Sequence, residues 1–165
     1  IRDDDPVLVL EHKLLYRRAK EALPEGDGVV PIGKAAVRRE GRDLSILTYG
    51  AMVPLALDGA AELAKEGIEA EVVDLRTLLP LDEETVLESV KRTSKALILH
   101  EDARTLGIGA EVAATLAEKA YEWLDAPVVR VTAPDTPVPF APALEAAFLP
   151  SLSTLLSAAR RLAAY

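Results

Sequence analysis

Only two histidines occur in the chain, His12 and His100, and each stands beside a glutamate, Glu11 and Glu101. An imidazole next to a carboxylate can shuttle protons or ligate a metal, so the surrounding spacing decides what these pairs could do. Arg104 stands where the second histidine of a His-Glu-x-x-His zinc helix belongs, and no Gly-x-Ser-x-Gly elbow supplies a nucleophile. Cysteine is absent, which excludes disulfides, thiolate nucleophiles, iron–sulfur clusters and cysteine zinc sites. Gly107-Ile108-Gly109 follows a strand pattern and opens a helix pattern, as a dinucleotide fingerprint would. Val112, however, replaces the third glycine, and Asp125 is the sole acid at ribose spacing. Close packing of a helix start on a sheet explains the two glycines better. Arg76 sits at a strand end and reads as part of a buried ion pair or an interface contact.

The elements that must carry these residues follow from a chain of 165 residues, half of them apolar, which is enough for one compact core. A net charge of −8 excludes wrapping a nucleic-acid backbone as the main task and favours basic partners. Asn and Gln are absent, a depletion common in heat-stable proteins. No run reaches the length of a membrane span, and the Ile-Arg-Asp-Asp-Asp start does not resemble a signal peptide, so the chain reads as soluble and cytoplasmic.

Val7 to Leu10 is a continuous apolar run that reads as a short strand with partners outside the chain. Gly, Pro and acidic residues from 22 to 33 mark a linker, which separates residues 1–21 from a domain over 34–165. Ala35 to Glu40 and Leu44 to Tyr49 read as two strands joined by a tight turn, the first antiparallel to the second. A helix from Pro54 to Lys65 is expected to bury Leu57, Ala60, Ala61 and Ala64 and to stop at Gly67. Strands then follow at 70–75, 96–99 and 128–131. Between them come a helix capped by Asp82 and a long helix with Ile108, Val112, Leu116, Ala120 and Trp123 on one face. A final helix carries Leu152, Leu155, Leu156, Ala159 and Leu162. This alternation predicts an α/β fold, a three-layer α/β/α sandwich whose mixed five-stranded sheet has one antiparallel edge strand.

Five segments in order carry a family resemblance: Glu11-His12-Lys13-Leu14-Leu15-Tyr16-Arg17, Val73 to Pro80, His100-Glu101, Gly107 to Val112, and Val131 to Pro139. Together they resemble the C-terminal half of the beta subunit of thiamine-dependent 2-oxo acid dehydrogenases, whose domain here is of the transketolase C-terminal type. The resemblance implies a subunit that pairs with an alpha subunit and a second beta subunit in a heterotetramer, which decarboxylates a 2-oxo acid oxidatively and acylates the lipoyl group of an acyltransferase. His100-Glu101 followed by Ala103 and Arg104 leans toward branched-chain, 2-oxoisovalerate members.

It also implies that thiamine diphosphate and magnesium are held outside this chain, so the chain carries no catalytic or cofactor-binding residue and is inactive alone. Gly26-Asp27-Gly28 is similar to the start of a thiamine-diphosphate magnesium motif, but that motif ends in Asn, so the segment reads as a turn. Asp3 and Asp5 match a stretch that helps to hold potassium in branched-chain members. Asp125, in Leu124-Asp125-Ala126-Pro127, and the carboxylate of Tyr165 match positions that receive the basic subunit-binding domain of the dihydrolipoyl acyltransferase. Exposed Leu14, Leu15 and Tyr16 predict self-association. The competing expectation is a free-standing α/β module that binds a small anion or nucleotide around His100, Arg76 and Gly107.

Overall fold

The computed structural model describes residues 4–18, 22, 25–26 and 28–165. A single helical turn, α1 (Leu15–Arg18), precedes a domain built in the order β1 (Ala36–Arg39), β2 (Leu44–Thr48), α2 (Met52–Lys65), β3 (Ala70–Asp74), α3 (Glu83–Thr93), β4 (Ala96–Ala103), α4 (Ile108–Lys119), β5 (Val129–Ala133), α5 (Pro142–Phe148) and α6 (Leu152–Ala163). The five strands form one sheet in the order β1-β3-β2-β4-β5, and only the edge strand β1 runs antiparallel to its neighbour.

Chain direction explains the layers. The step from β2 to β3 moves toward one edge, whereas β3 to β4 and β4 to β5 move toward the other. Right-handed crossovers then place α2 on one face and α3 and α4 on the opposite face. Two cores result. Leu44, Ile46, Val72, Leu97 and Leu99 pack on Ala56, Ala60 and Leu63 of α2 and Leu155, Ala159 and Leu162 of α6. On the other face Leu47, Val73 and Ile98 pack on Val86 and Val90 of α3 and Val112 and Leu116 of α4. Where α3 crosses β2, the hydroxyls of Ser45, Ser89 and Thr93 satisfy one another at 2.7 Å, fully inside the protein.

The expected sandwich with its antiparallel edge strand stands, and Asp82 caps α3 by accepting from the Thr85 amide. Five details differ. The first two strands do not form a hairpin, because β3 lies between them. Gly41 turns the chain around the start of β3, where a Cβ would come 2.2 Å from the Glu71 amide nitrogen, and the amides of Arg42 and Asp43 both donate to the Glu69 carbonyl. Helix α2 buries Ala56, Gly59, Ala60 and Leu63 rather than the stripe through Leu57 and Ala61, since several small residues leave its apolar face ambiguous in sequence. Trp123 lies beyond α4 in a separate 3₁₀ turn, under the Lys91 ammonium at 4.6 Å, and α5 forms where the sequence pattern predicts no helix. Residues 7–10 form no strand. Leu8 and Leu10 are 87 % and 90 % exposed, as expected of an extended run without a neighbouring strand to satisfy its amides. Among the described residues no helix is long and apolar enough to cross a membrane.

Candidate functional site

At the C-terminal end of the parallel strands, β2 and β4 lie side by side while their following connections diverge. That is the position at which open α/β sheets place ligands. His100, on β4, is fully buried there, and its ring stacks on Tyr49 with centroids 6.2 Å apart and planes 21° apart. The Asp102 amide donates to Nδ1 at 3.2 Å, which leaves the proton on Nε2. Nε2 itself is buried without a hydrogen-bond partner. Burial lowers the His100 pKa, with Asp102 opposing and Arg130 assisting, so the ring is neutral near pH 7. Burial, then the charges of Asp102 and Glu101, pushes the Tyr49 hydroxyl up to about 12.

The two glycines of Gly107-Ile108-Gly109 answer to this ring. A Cβ at Gly109 would come 2.3 Å from His100 Nε2, and one at Gly107 would come 2.2 Å from the Ala103 carbonyl oxygen and 3.1 Å from His100 Cε1. The start of α4 therefore seats directly on the imidazole. No space for a phosphate remains between them, in keeping with close packing as the role of these glycines. Arg76 lies two strands from His100, with β2 between, roughly 10 Å away at ordinary strand spacing. It is exposed, with φ 56°, and its amide donates to Asp74 Oδ1 at 3.1 Å. Of the two expectations for Arg76, a buried ion pair or an interface contact, the first is not met, because Arg76 is exposed and its charge acts on Asp74 from the surface. A buried carboxylate is found instead at Glu71, held through both oxygens by Arg92 Nη2 at 2.9 and 2.7 Å. The other histidine, His12, brings the N-terminal segment to the same strand end through Nε2 and Glu101 Oε1 at 2.9 Å. That pair edges a groove of about 1020 Å³ walled by Lys13, Tyr16, Val138 and Phe148.

A second cleft, of about 450 Å³, opens at the opposite end, where the strands begin. Asp125 and Ala163 line it together with Arg42, Asp43, Arg92 and Lys95. Asp125 is exposed, and its amide donates to the Ser94 carbonyl at 2.9 Å. Tyr165, two residues beyond α6, is 72 % exposed. The fold thus brings Asp125 and the end of α6 to one cleft although Asp125 and Ala163 are 38 positions apart. Ser94 and Lys95, which shape it, escaped the sequence reading because a Ser-Lys pair between a helix and a strand looks like an ordinary cap and turn.

Asp3 and Asp27 fall outside the described residues, and Asp5 is exposed. Among the described residues no group of three or more His, Cys, Asp or Glu is placed to hold a metal. The unpaired His100 Nε2 faces the backbone of Gly109 rather than a cavity.

Residues 33–155 match the transketolase C-terminal domain. The chain is 50 % identical over 161 residues to the pyruvate dehydrogenase E1 component subunit beta of Bacillus subtilis, covering 98 % of this chain and 49 % of that protein. It is 49 % identical over 161 residues to the beta subunit of acetoin:2,6-dichlorophenolindophenol oxidoreductase of Cupriavidus necator, covering 98 % of this chain and 47 % of that one. Against the 2-oxoisovalerate dehydrogenase subunit beta of Bacillus subtilis the identity is 46 % over 166 residues, covering 100 % and 51 %. The chain therefore spans about half the length of the curated relatives it matches. Among solved structures, a split-gene transketolase described as an inactive beta4 tetramer superposes with a TM-score of 0.71 at 31 % identity, over 82 % of this chain and 43 % of that one.

Proposed function

Since the chain belongs to the transketolase C-terminal domain family, we propose that it is the C-terminal part of the beta subunit of a cytoplasmic thiamine-dependent 2-oxo acid dehydrogenase, serving subunit assembly and docking of the acyltransferase. The named relatives act in pyruvate, acetoin and 2-oxoisovalerate oxidation. The His100-Glu101 pair supports the branched-chain, 2-oxoisovalerate type. It would act through the strand end it builds and not by touching substrate, because His100 is fully buried. Thiamine diphosphate with magnesium supplies the decarboxylation chemistry in the assembled enzyme, held by segments other than this one. Exposed Leu8, Leu10, Leu14 and Tyr16 form the apolar surface offered to the alpha subunit and a second beta subunit.

The observation that carries the docking assignment is the meeting of Asp125 with the end of α6 around one cleft. Asp125 at that cleft and the carboxylate of Tyr165, two residues beyond Ala163, are the two anions assigned to bidentate arginine recognition by a basic domain. The net charge of −8 speeds the encounter, most strongly at low salt. Calorimetry with the recombinant subunit-binding domain of a bacterial dihydrolipoyl acyltransferase tests this. Asp125→Ala and a chain ending at Ala164 should each lose about 2 kcal/mol or more of binding free energy; unchanged affinity in both would place docking elsewhere. Turnover by the purified chain with added cofactor would overturn the expectation that it is inactive alone.

A further inference from the structure

One corner of the chain holds both halves of the docking cleft. Ser94, the left-handed C-cap of α3 at φ 58°, accepts from the Asp125 amide at 2.9 Å. The next residue, Lys95, donates from Nζ to the Ala163 carbonyl at 2.9 Å, across 68 positions of sequence. Ala163 is the last residue of α6. There the terminal carbonyls lack partners within the helix and the negative end of its dipole collects. The cations of α6's own last turn point elsewhere: Arg160 is held by Glu66 at 2.6 and 2.8 Å, and Arg161 by Ser157 at 3.1 Å. Lys95 is thus a helix cap delivered from another element, fixed at its own backbone by the start of β4.

We infer that Lys95 is a positioning residue for partner docking: it pins the last turn of α6 so that Tyr165 and Asp125 present their anions to a basic domain in one fixed arrangement. This rests on the docking function proposed above. The ammonium lines the cleft beside Arg42 and Arg92 and donates into the helix end, so a basic partner engages the anions of Asp125 and Tyr165 rather than this corner. Removing it frees the end of α6 to sample many directions, and the partner must then order that segment on binding. A role confined to general stability would weaken every variant alike, whereas positioning of Tyr165 makes the effect of Lys95 depend on Tyr165 being present.

A double-mutant cycle separates the two. The parent, Lys95→Met and Lys95→Arg chains, each ending at Tyr165 or at Ala164, are titrated with the recombinant subunit-binding domain of a bacterial dihydrolipoyl acyltransferase. Lys95→Met should weaken binding about tenfold in the chain ending at Tyr165 and less than about twofold in the chain ending at Ala164. Lys95→Arg, which keeps a donor and the charge, should stay within about threefold of the parent. Hydrogen exchange at the amides of residues 163–165 should quicken in Lys95→Met and not in Lys95→Arg. Equal losses with and without Tyr165, or no loss at all while Asp125→Ala still weakens binding, would overturn the role of Lys95 alone. If neither Asp125→Ala nor removal of Tyr165 weakens binding, the docking assignment itself fails and Lys95 positions nothing for it.

Discussion

Replacing Gly109 by alanine puts a methyl group where the buried imidazole already is. Gly109 is the second residue of α4, and the new Cβ would stand 2.3 Å from His100 Nε2, 2.7 Å from its Cδ2 and 3.2 Å from Ile98 Cγ2. Ordinary carbon contacts lie near 3.5–4 Å, so the helix start or the ring must move by about 1 Å. The ring cannot easily yield: it is fully buried, stacked on Tyr49, and borne by a strand hydrogen-bonded on both sides. Overpacking of this kind costs about 1–3 kcal/mol, while alanine returns at most about 1 kcal/mol of helix propensity, and less in the first turn. A net loss of about 1–2 kcal/mol remains, which for a chain of this size lowers Tm by roughly 2–8 °C. Gly59→Ala is the control. It gains the same propensity in the middle of α2, and its closest neighbour at 2.6 Å is the Leu155 Cδ2 methyl, the end of a buried aliphatic side chain that has to change rotamer but is neither a ring nor backbone. Its Tm should stay within about 2 °C of the parent. Thermal melting followed by circular dichroism compares the two. A Gly109→Ala chain as stable as Gly59→Ala would refute the claim that the glycine exists to seat α4 on the imidazole. So would a Gly109→Ala penalty that persists when His100 is replaced by alanine, since relief of the clash requires the two changes to couple.

Arg92→Met strands the buried carboxylate of Glu71 and should cost about 3 kcal/mol, with part recovered by adding Glu71→Gln; urea unfolding measures both, and an unchanged midpoint for the single variant would contradict it. For His100 the native pKa is depressed, chiefly by burial, so the unfolded chain binds the extra proton first. Stability falls as pH drops below about 6.5, and His100→Leu should flatten that part of the Tm profile between pH 7 and 5. Asp82 acts in the same direction at lower pH. Burial would raise its pKa, but the amides of Ala35 and Thr85, the Thr85 hydroxyl and the Lys34 charge hold it below the ordinary value. Its contribution is present above about pH 4 and lost on acidification, and Asp82→Ala should cost about 1–2 kcal/mol at pH 7 and much less near pH 3.

Much of the fold follows from order along the chain. Mainly apolar strands alternating with helices are best buried between two helical layers, and crossover handedness then assigns each helix to its face, so residues 44–133 are legible without coordinates. Local signals also hold at Asp82, whose side chain needs only the next turn of its own helix, and at Gly67, whose φ of 83° few other residues tolerate. The sequence likewise sufficed to read Gly107 and Gly109 as packing glycines, but not to say against what. Only the tertiary structure shows that their partner is His100, and that β3 displaces β2 as the neighbour of β1. Side-chain periodicity records which face of a strand is buried and carries no record of which strand lies beside it, so a short turn after Ala36–Arg39 looks like a hairpin until Gly41 is seen wrapping the start of β3. The cleft where the strands begin belongs to the same class. Asp125 stands out in sequence only through the family resemblance and Lys95 and Ala163 not at all; what joins them is two backbone carbonyls, those of Ser94 and Ala163, that accept hydrogen bonds from residues tens of positions away. Such contacts involve the one part of the chain that is the same in every residue, which is why no residue type announces them.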